Sequence, residues 1–143
     1  MNHFVWPVRV YYEDTDSVGV VYHANYLKFM ERARTEWLRK LGFEQDALAR
    51  DVGILFMVHS VNLNYRRPAR FNDLLQVVSR IDEVKKASLV FGHTILRADK
   101  SGEVLCAGQI RVACVAVDSF KPRSIPPMIL AEVFRRVGYA VHT

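Results

Sequence analysis

The chain has 143 residues, half of them hydrophobic, and carries a formal charge of +5 with a pI near 9.4. This length suits one domain with a hydrophobic core and is too short for two, so we expect a single domain over residues 1–143. No apolar run approaches the roughly 20 residues needed to cross a bilayer, and the first ten residues lack the features of a signal peptide, which predicts a cytoplasmic protein. The positive charge favours anionic partners such as a membrane surface or a phosphate-bearing small molecule. Because it is scattered in short clusters, no nucleic-acid partner is expected.

The hydrophobic pattern predicts five strands and three helices. The predicted strands cover residues 4–12, 55–65, 74–84, 89–97 and 104–117, and the predicted helices cover residues 24–41, 43–51 and 125–137. In the long helix the apolar stripe runs from Tyr26 to Leu41, and Gly42 marks its end. Short turns join the last three strands, which forces antiparallel pairing. A long helix on one face of such a sheet is an α+β arrangement, and its uncovered edges predict an oligomer.

The segment between the first strand and the long helix carries the strongest chemical signal. It reads YYEDTDSVGVVYHANY and holds three carboxylates, a glycine and a histidine at the mouth of the helix. A helix N-terminus offers unpaired N–H groups and a partial positive charge, which can stabilise an oxyanion. Gly19 permits a tight loop that folds Asp16 back towards the first helical turn. Asp16 is then an acid, base or nucleophile, and the backbone N–H of His23 an oxyanion donor; a solvated acidic turn is the alternative.

The other titratable residues favour structural roles. His59 and His93 lie among apolar neighbours in strands, which predicts two core histidines. Arg34 points into the apolar arc of the long helix, and Glu31 is one turn earlier, which favours a partly buried ion pair. A subunit contact or a role in positioning a loop carboxylate is the alternative for Arg34.

The spacing of the cysteine, histidine and aspartate residues is not typical of a metal site. Cys106 and Cys114 would lie roughly 26 Å apart in one strand, too far for a disulfide, so we expect buried, reduced thiols. No set of His, Cys and Asp residues has metal-ligand spacing. No metal or redox cofactor is therefore expected.

The basic residues form small clusters at predicted strand ends. Lys85 and Lys86 occupy one connection, and Lys121 and Arg123 follow the last strand. Each cluster alone is typical of a solvated turn. Brought together by the sheet, they would suit a phosphate-rich ligand such as a nucleotide-bearing carrier.

The residues from Asp14 to Arg34, DTDSVGVVYHANYLKFMERAR, resemble the signature of the 4-hydroxybenzoyl-CoA thioesterase family of hotdog-fold proteins. The likeness is strongest to its YbgC branch, acyl-CoA thioesterases associated with the Tol-Pal system. It extends through NYRRPARFND and KKASLVF, from about Trp6 to Ile125, and so covers most of the chain.

The resemblance implies a hotdog fold, in which a five-stranded antiparallel sheet wraps around one long central helix. It implies a homodimer or homotetramer with an active site at the subunit interface and acyl-CoA as substrate. Asp16 matches the family's catalytic carboxylate, and the His23 backbone N–H matches its oxyanion contact. The positions matched to substrate binding are Tyr22, Lys85, Lys86, Ser88, Lys121 and Arg123.

Two other functions fit the same residues. A hotdog hydratase or dehydratase would share the fold but usually pairs a His with an acid on the helix and adjoining loop, whereas here the acid precedes the helix. A non-catalytic module that binds acyl-CoA or an acyl carrier protein, including one that acts as a scaffold at the inner membrane, would share the basic surface. Thioester hydrolysis is favoured over both. The Asp16 mechanism, by nucleophilic attack or by activation of water, stays open.

Overall fold

Five antiparallel strands and three helical segments account for most of the chain. The structure is a computed structural model that describes residues 3–137. The strands are β1 (His3–Arg9), β2 (Ile54–Tyr65), β3 (Leu74–Val84), β4 (Ser88–Arg97) and β5 (Val104–Ala116). The helices are α1 (Asn25–Lys40), α2 (Gln45–Ala47, continued by a π-helical turn at Leu48–Val52) and α3 (Pro127–Val137).

The strands form one sheet in the order β1-β3-β4-β5-β2, and all neighbouring pairs are antiparallel. The predicted antiparallel sheet of five strands is therefore confirmed. The predicted long helix is confirmed too, over 16 residues. The first strand ends earlier than predicted because the Val10 N–H donates to the Asp73 carbonyl and the Tyr11 N–H donates to the Asp14 carboxylate, which begins a 3₁₀ turn at Tyr12–Asp14.

The core lies between α1 and one face of the sheet. Phe29, Met30 and Ala33 of α1 are wholly buried. Trp37 packs its ring against Phe91 of β4 and stacks on Phe4 of β1. The helix is thus packed against an edge strand and the central strand of the sheet, and it cannot shift without disturbing the core.

The β2 strand forms one edge of the sheet, and its outer edge is unpaired within the protomer. Met57, Val58, Val61 and Tyr65 on this strand are each at least 43% exposed. An exposed edge strand with apolar side chains is a pairing surface. In residues 3–137, no helix has both the length and the apolar character that a membrane crossing requires.

Candidate active site

A tight loop holds Asp16 in front of α1. The Asp16 N–H donates to the Val20 carbonyl at 2.9 Å, and the Gly19 N–H donates back to the Asp16 carbonyl at 3.1 Å. Gly19 has a φ of +87°, a left-handed conformation that favours glycine. The Val18 N–H donates to Asp16 Oδ1 at 2.9 Å, while Oδ2 has no hydrogen-bond partner within residues 3–137. One carboxylate oxygen therefore anchors the side chain, and the other has no partner among the described residues.

The peptide groups just before α1 are held by their carbonyls. The Asn25 N–H donates to the Tyr22 carbonyl at 2.8 Å, and the Tyr65 hydroxyl donates to the His23 carbonyl at 2.9 Å. Burial raises the pKa of Tyr65, so its hydroxyl keeps its proton. The N–H groups of His23 and Ala24 have no acceptor in the part of the chain that the structure describes. Two adjacent amides are thus left unpaired, the arrangement expected of an oxyanion site.

A buried carboxylate ties the loop to the helix. Asp14 is 5% exposed; its Oδ1 accepts a bond from the Asn25 side chain at 3.0 Å, and its Oδ2 accepts the Tyr11 N–H at 2.9 Å. Its carbonyl accepts the Tyr22 N–H at 2.9 Å. Asp14 therefore positions both the Asp16 loop and the start of α1.

Asp16 and His23 line one open cavity of about 320 Å³. Its other walls come from Val20, Val21, Tyr26, Tyr65, Arg66, Arg67 and Pro68. Arg66 and Arg67 add two positive charges at this site, and these favour an anionic substrate. The structure thus brings together Asp16 and His23, as predicted from their order in the sequence. Tyr22 is adjacent, is 47% exposed and packs its ring on that of His23.

The predicted basic residues meet at the opposite end of the sheet. The Ile125 N–H donates to the Lys86 carbonyl at 2.8 Å, and the Arg123 N–H donates to the Cys114 carbonyl at 2.9 Å. This joins the β3–β4 turn, which carries Lys85, Lys86 and Ser88, to the segment that carries Lys121 and Arg123. We call these five residues the basic cluster.

Within one protomer the basic cluster does not reach Asp16. The Arg66 and Arg67 N–H groups beside the Asp16 cavity donate to Leu105, whereas Arg123 is bonded to Cys114. Those two acceptors are nine positions apart on β5, a span of about 30 Å. Two members of the cluster have partners of their own: Lys85 pairs with Glu83 at 3.2 Å, and the Ser88 hydroxyl accepts a bond from Arg111 at 3.1 Å.

Arg34 is buried as predicted, but its hydrogen-bond partner was not foreseen. It is 7% exposed, and its Nη1 donates to His93 Nε2 at 3.1 Å. Glu31 forms no ion pair with it in the described part of the chain, and its Oε1 instead accepts a weak bond from the Thr35 hydroxyl at 3.3 Å. The prediction of a Glu31–Arg34 pair is therefore wrong, since helical spacing permits this pair while the tertiary structure offers another acceptor.

The two strand histidines have different environments. His93 is fully buried, as predicted. The prediction for His59 is wrong, because its side chain is exposed. His59 falls between the paired residues Val58 and Ser60, where a bulge shifts the register of β2. Both cysteines are free and buried, as predicted.

Three contributors to the site were missed in the sequence. These are the Ala24 N–H, the Tyr65 hydroxyl and the Asp14–Asn25 hydrogen bond. Tyr65 is 42 residues from His23 and Asp14 is 11 residues from Asn25, and loop-mediated spacings of this kind follow no local rule. The only signal in the sequence is the acidic Asp14 two residues after the predicted first strand, and the same pattern is typical of a solvated turn.

The chain matches a family model described as the thioesterase-like superfamily over residues 10–133. It is 45% identical to an acyl-CoA thioester hydrolase, YbgC, of Escherichia coli over 90% of this chain and 94% of that protein. Among solved structures, a probable thioesterase from Bartonella henselae is 35% identical with a TM-score of 0.81, covering 87% of this chain and 99% of the other.

A 4-hydroxybenzoyl-CoA thioesterase variant, solved with 4-hydroxybenzoyl-CoA, superposes with a TM-score of 0.84. It covers 93% of this chain and 99% of that one at 19% identity. At that identity the likeness shows the fold alone. The hotdog fold expected from the resemblance is thereby confirmed.

Proposed function

The chain belongs to the thioesterase-like superfamily, and from that premise we propose that it is an acyl-CoA thioesterase. The reaction converts an acyl-CoA and water into a free acid and the CoA thiol. The name of the Escherichia coli relative supports the substrate class, since the likeness covers nearly all of both chains. The roles of individual residues are argued below from the geometry of the Asp16 cavity.

In this mechanism the thioester carbonyl lies between Asp16 and the start of α1. Its oxygen accepts hydrogen bonds from the unpaired His23 and Ala24 amides, which stabilise the negative charge that develops there. Asp16 Oδ2 either attacks the carbonyl carbon, giving a mixed anhydride that water then cleaves, or removes a proton from an attacking water. The thiolate leaves and takes up a proton in either case.

One observation carries this proposal. Asp16, with one unengaged carboxylate oxygen, and His23, with an unpaired amide, line the same open cavity, and the unpaired Ala24 amide is the next along the chain. Because His23 is exposed at this open cavity, a bound carbonyl oxygen can replace water as the acceptor of these N–H groups. Acyl transfer is the chemistry that needs both groups at one carbonyl.

Replacing Asp16 with Asn tests the assignment. The amide oxygen of Asn can still accept the Val18 N–H, so the loop is expected to survive, while turnover falls about 100-fold or more. Release of CoA thiol is followed with a thiol reagent. The matched control is Glu13→Gln, which removes a neighbouring exposed carboxylate and should leave the rate unchanged. Thiol release by Asp16→Asn at the wild-type rate contradicts the role of Asp16, and no thiol release by the wild type favours a binding module.

We further propose that the basic cluster serves the Asp16 cavity of a partner subunit. Ile54 of β2 pairs with Ala116 near the cluster, whereas Tyr65 of β2 lines the Asp16 cavity. If two β2 edges pair antiparallel across a two-fold axis, the Ile54 end of one strand lies beside the Tyr65 end of the other. The cluster of one subunit then faces the Asp16 cavity of its partner, where it can bind the CoA phosphates.

Mixed dimers test this arrangement. One protomer carries Asp16→Asn, and the other carries Lys86→Ala with Arg123→Ala. A heterodimer then holds one intact site only if the cluster and the carboxylate come from different subunits. Equal mixing makes about half of the dimers heterodimers, each with one working site of two, so about one quarter of wild-type activity should return at low acyl-CoA concentration. Activity no higher than the mean of the two parent variants would show that each chain uses its own cluster or none.

A further inference from the structure

A second cavity, separate from the Asp16 site, lies between α1 and the sheet. Its volume is about 100 Å³, roughly the space of three waters. One wall is apolar and is formed by Phe56, Val58, Leu89, Phe91 and Val112. The opposite wall is polar and includes Arg34. From Asn25 to Arg34 the helix rises about 14 Å, so a short acyl group bound at the start of α1 does not reach this cavity.

Arg34 brings a buried positive charge to this cavity. It is 7% exposed, and its guanidinium lies 5.9 Å from the centre of the Phe91 ring. Burial lowers the pKa of Arg34 to about 10, which still leaves the group protonated at neutral pH. A buried charge of this kind is costly unless an anion or several acceptors surround it.

The one hydrogen-bond partner of Arg34 cannot neutralise it. Arginine only donates hydrogen bonds, so His93 Nε2 must be the acceptor. His93 Nδ1 then carries the proton and donates to the Ser79 hydroxyl at 2.7 Å. His93 is therefore a neutral ring, fixed in one tautomer, and Arg34 keeps its full charge.

The other nitrogens of Arg34 are open to the cavity. Nε and Nη2 have no acceptor within the described residues, yet none of the buried side-chain nitrogens or oxygens there lacks a partner. The two nitrogens must therefore reach the open space that Arg34 lines. Nε and Nη2 form one edge of the guanidinium fork, which fits the two oxygens of a carboxylate.

Glu31 is the carboxylate that approaches this cavity from α1. It is exposed, makes no ion pair with Arg34 in the described chain, and accepts a bond from Thr35, which in turn accepts one from Gln45 at 3.1 Å. Glu31 attracts Arg34 at longer range, and it repels any anion that enters. Glu31 therefore lowers the affinity of this cavity for an anion, but it does not occupy the space beside Arg34.

We propose that this second cavity binds a small carboxylate with a short apolar body. The carboxylate oxygens would accept hydrogen bonds from Arg34 Nε and Nη2, and two to four carbons would contact Phe56, Leu89 and Val112. Free short-chain acids are one source of this chemistry. The distal carboxylate of a dicarboxylic acyl group, delivered as substrate from a partner subunit, is the other and rests on the proposed function.

Binding is measured by calorimetry with butyrate, which needs no turnover. We expect saturable binding with a Kd of about 1 mM and no binding of butanol. Glu31→Gln should tighten binding about two- to fivefold, while Glu36→Gln, on the same helix but outside the cavity, should not change it. Arg34→Gln should abolish binding; because this buried change can disturb folding, the surface variant Glu31→Gln carries the test independently.

Intermolecular nuclear Overhauser effects then locate the ligand. Contacts from the butyrate methyl group to Phe91 and Val112 support the site, whereas contacts to Tyr65 with none to Phe91 or Val112 assign butyrate to the Asp16 cavity and overturn the proposal. Absence of saturable binding, or equal affinity in wild type and Glu31→Gln, overturns it too. Kinetics with succinyl-CoA and butyryl-CoA separate the two sources. A KM increase of Arg34→Gln confined to succinyl-CoA identifies the acyl group as the ligand, and an unchanged KM for both esters, with butyrate binding lost, identifies free acids.

Discussion

Protonation of His93 is expected to limit the stability of the fold in mild acid. The ring is fully buried between Arg34 and Ser79, and burial together with the Arg34 charge lowers its pKa from 6.5 to about 3. The unfolded chain therefore binds a proton that the folded chain does not, so the contribution is intact above pH 6.5 and declines as the pH falls towards 3. Between pH 7 and pH 5 the expected loss in the free energy of unfolding is about 2 kcal/mol.

Urea unfolding at pH 7 and pH 5, at one fixed protein concentration, measures this loss. His93→Gln keeps an acceptor for Arg34 and a donor for Ser79 but cannot take up a proton, so it should lose less than about 0.5 kcal/mol over the same interval. The matched control is His59→Gln, which alters an exposed histidine and should lose as much as the wild type. An equal loss in the wild type and in His93→Gln would refute the assignment of the titration to His93.

Two further substitutions test the sheet and the oxyanion site. A Cβ on Gly108 would lie 2.1 Å from the Asn62 carbonyl oxygen, so Gly108→Ala should separate β2 from β5 and destabilise the protein by about 3 kcal/mol, measured by thermal unfolding. Gly92→Ala meets only the ends of flexible side chains and should cost less than about 1 kcal/mol. Tyr65→Phe removes the hydroxyl that holds the His23 carbonyl and should lower kcat about five- to tenfold with KM unchanged.

Each of these outcomes has a contradicting result. Equal melting temperatures for Gly108→Ala and Gly92→Ala would mean that the backbone of β2 yields at this point. For the tyrosine, the control is Tyr12→Phe, which removes an exposed hydroxyl that does not line the Asp16 cavity. A KM increase without a kcat change in Tyr65→Phe would assign its hydroxyl to substrate binding instead of to positioning of the peptide.

Features fixed by local periodicity could be predicted from the sequence. The α1 helix differs from its predicted bounds by one residue at each end, because its apolar stripe and Gly42 define it locally. The Asp16 loop could also be predicted from neighbouring residues. Gly19, which adopts a left-handed conformation, lies between Asp16 and the apolar pair Val20 and Val21, and this allows few ways to close the loop. Local patterns thus located the carboxylate and the helix start.

Features that depend on tertiary neighbours could not be predicted. A helical wheel shows that Arg34 faces the core, but the strand residue beneath it, His93, is 59 positions away. In β2 the burial predicted for His59 is wrong, since a bulge shifts the register of the strand at this residue. The apolar residues on either side of that bulge are also exposed in the protomer, so hydrophobic neighbours did not imply burial on this strand.

The separation of the basic cluster from Asp16 also depends on the tertiary structure and follows from no local pattern in the sequence. The Arg66–Arg67 segment beside the Asp16 cavity and the Arg123 segment of the cluster are both hydrogen-bonded to β5, at positions about 30 Å apart. No rearrangement of turns can bring them together without breaking the sheet. Either the cluster is unrelated to catalysis, or a second copy of the chain supplies it. The exposed apolar edge of β2 favours the second explanation, because Ile54 lies at its end near the cluster and Tyr65 at its end near the Asp16 cavity. Antiparallel pairing of two such edges would place the cluster of each subunit beside the Asp16 cavity of the other, so that the dimer would hold two complete sites.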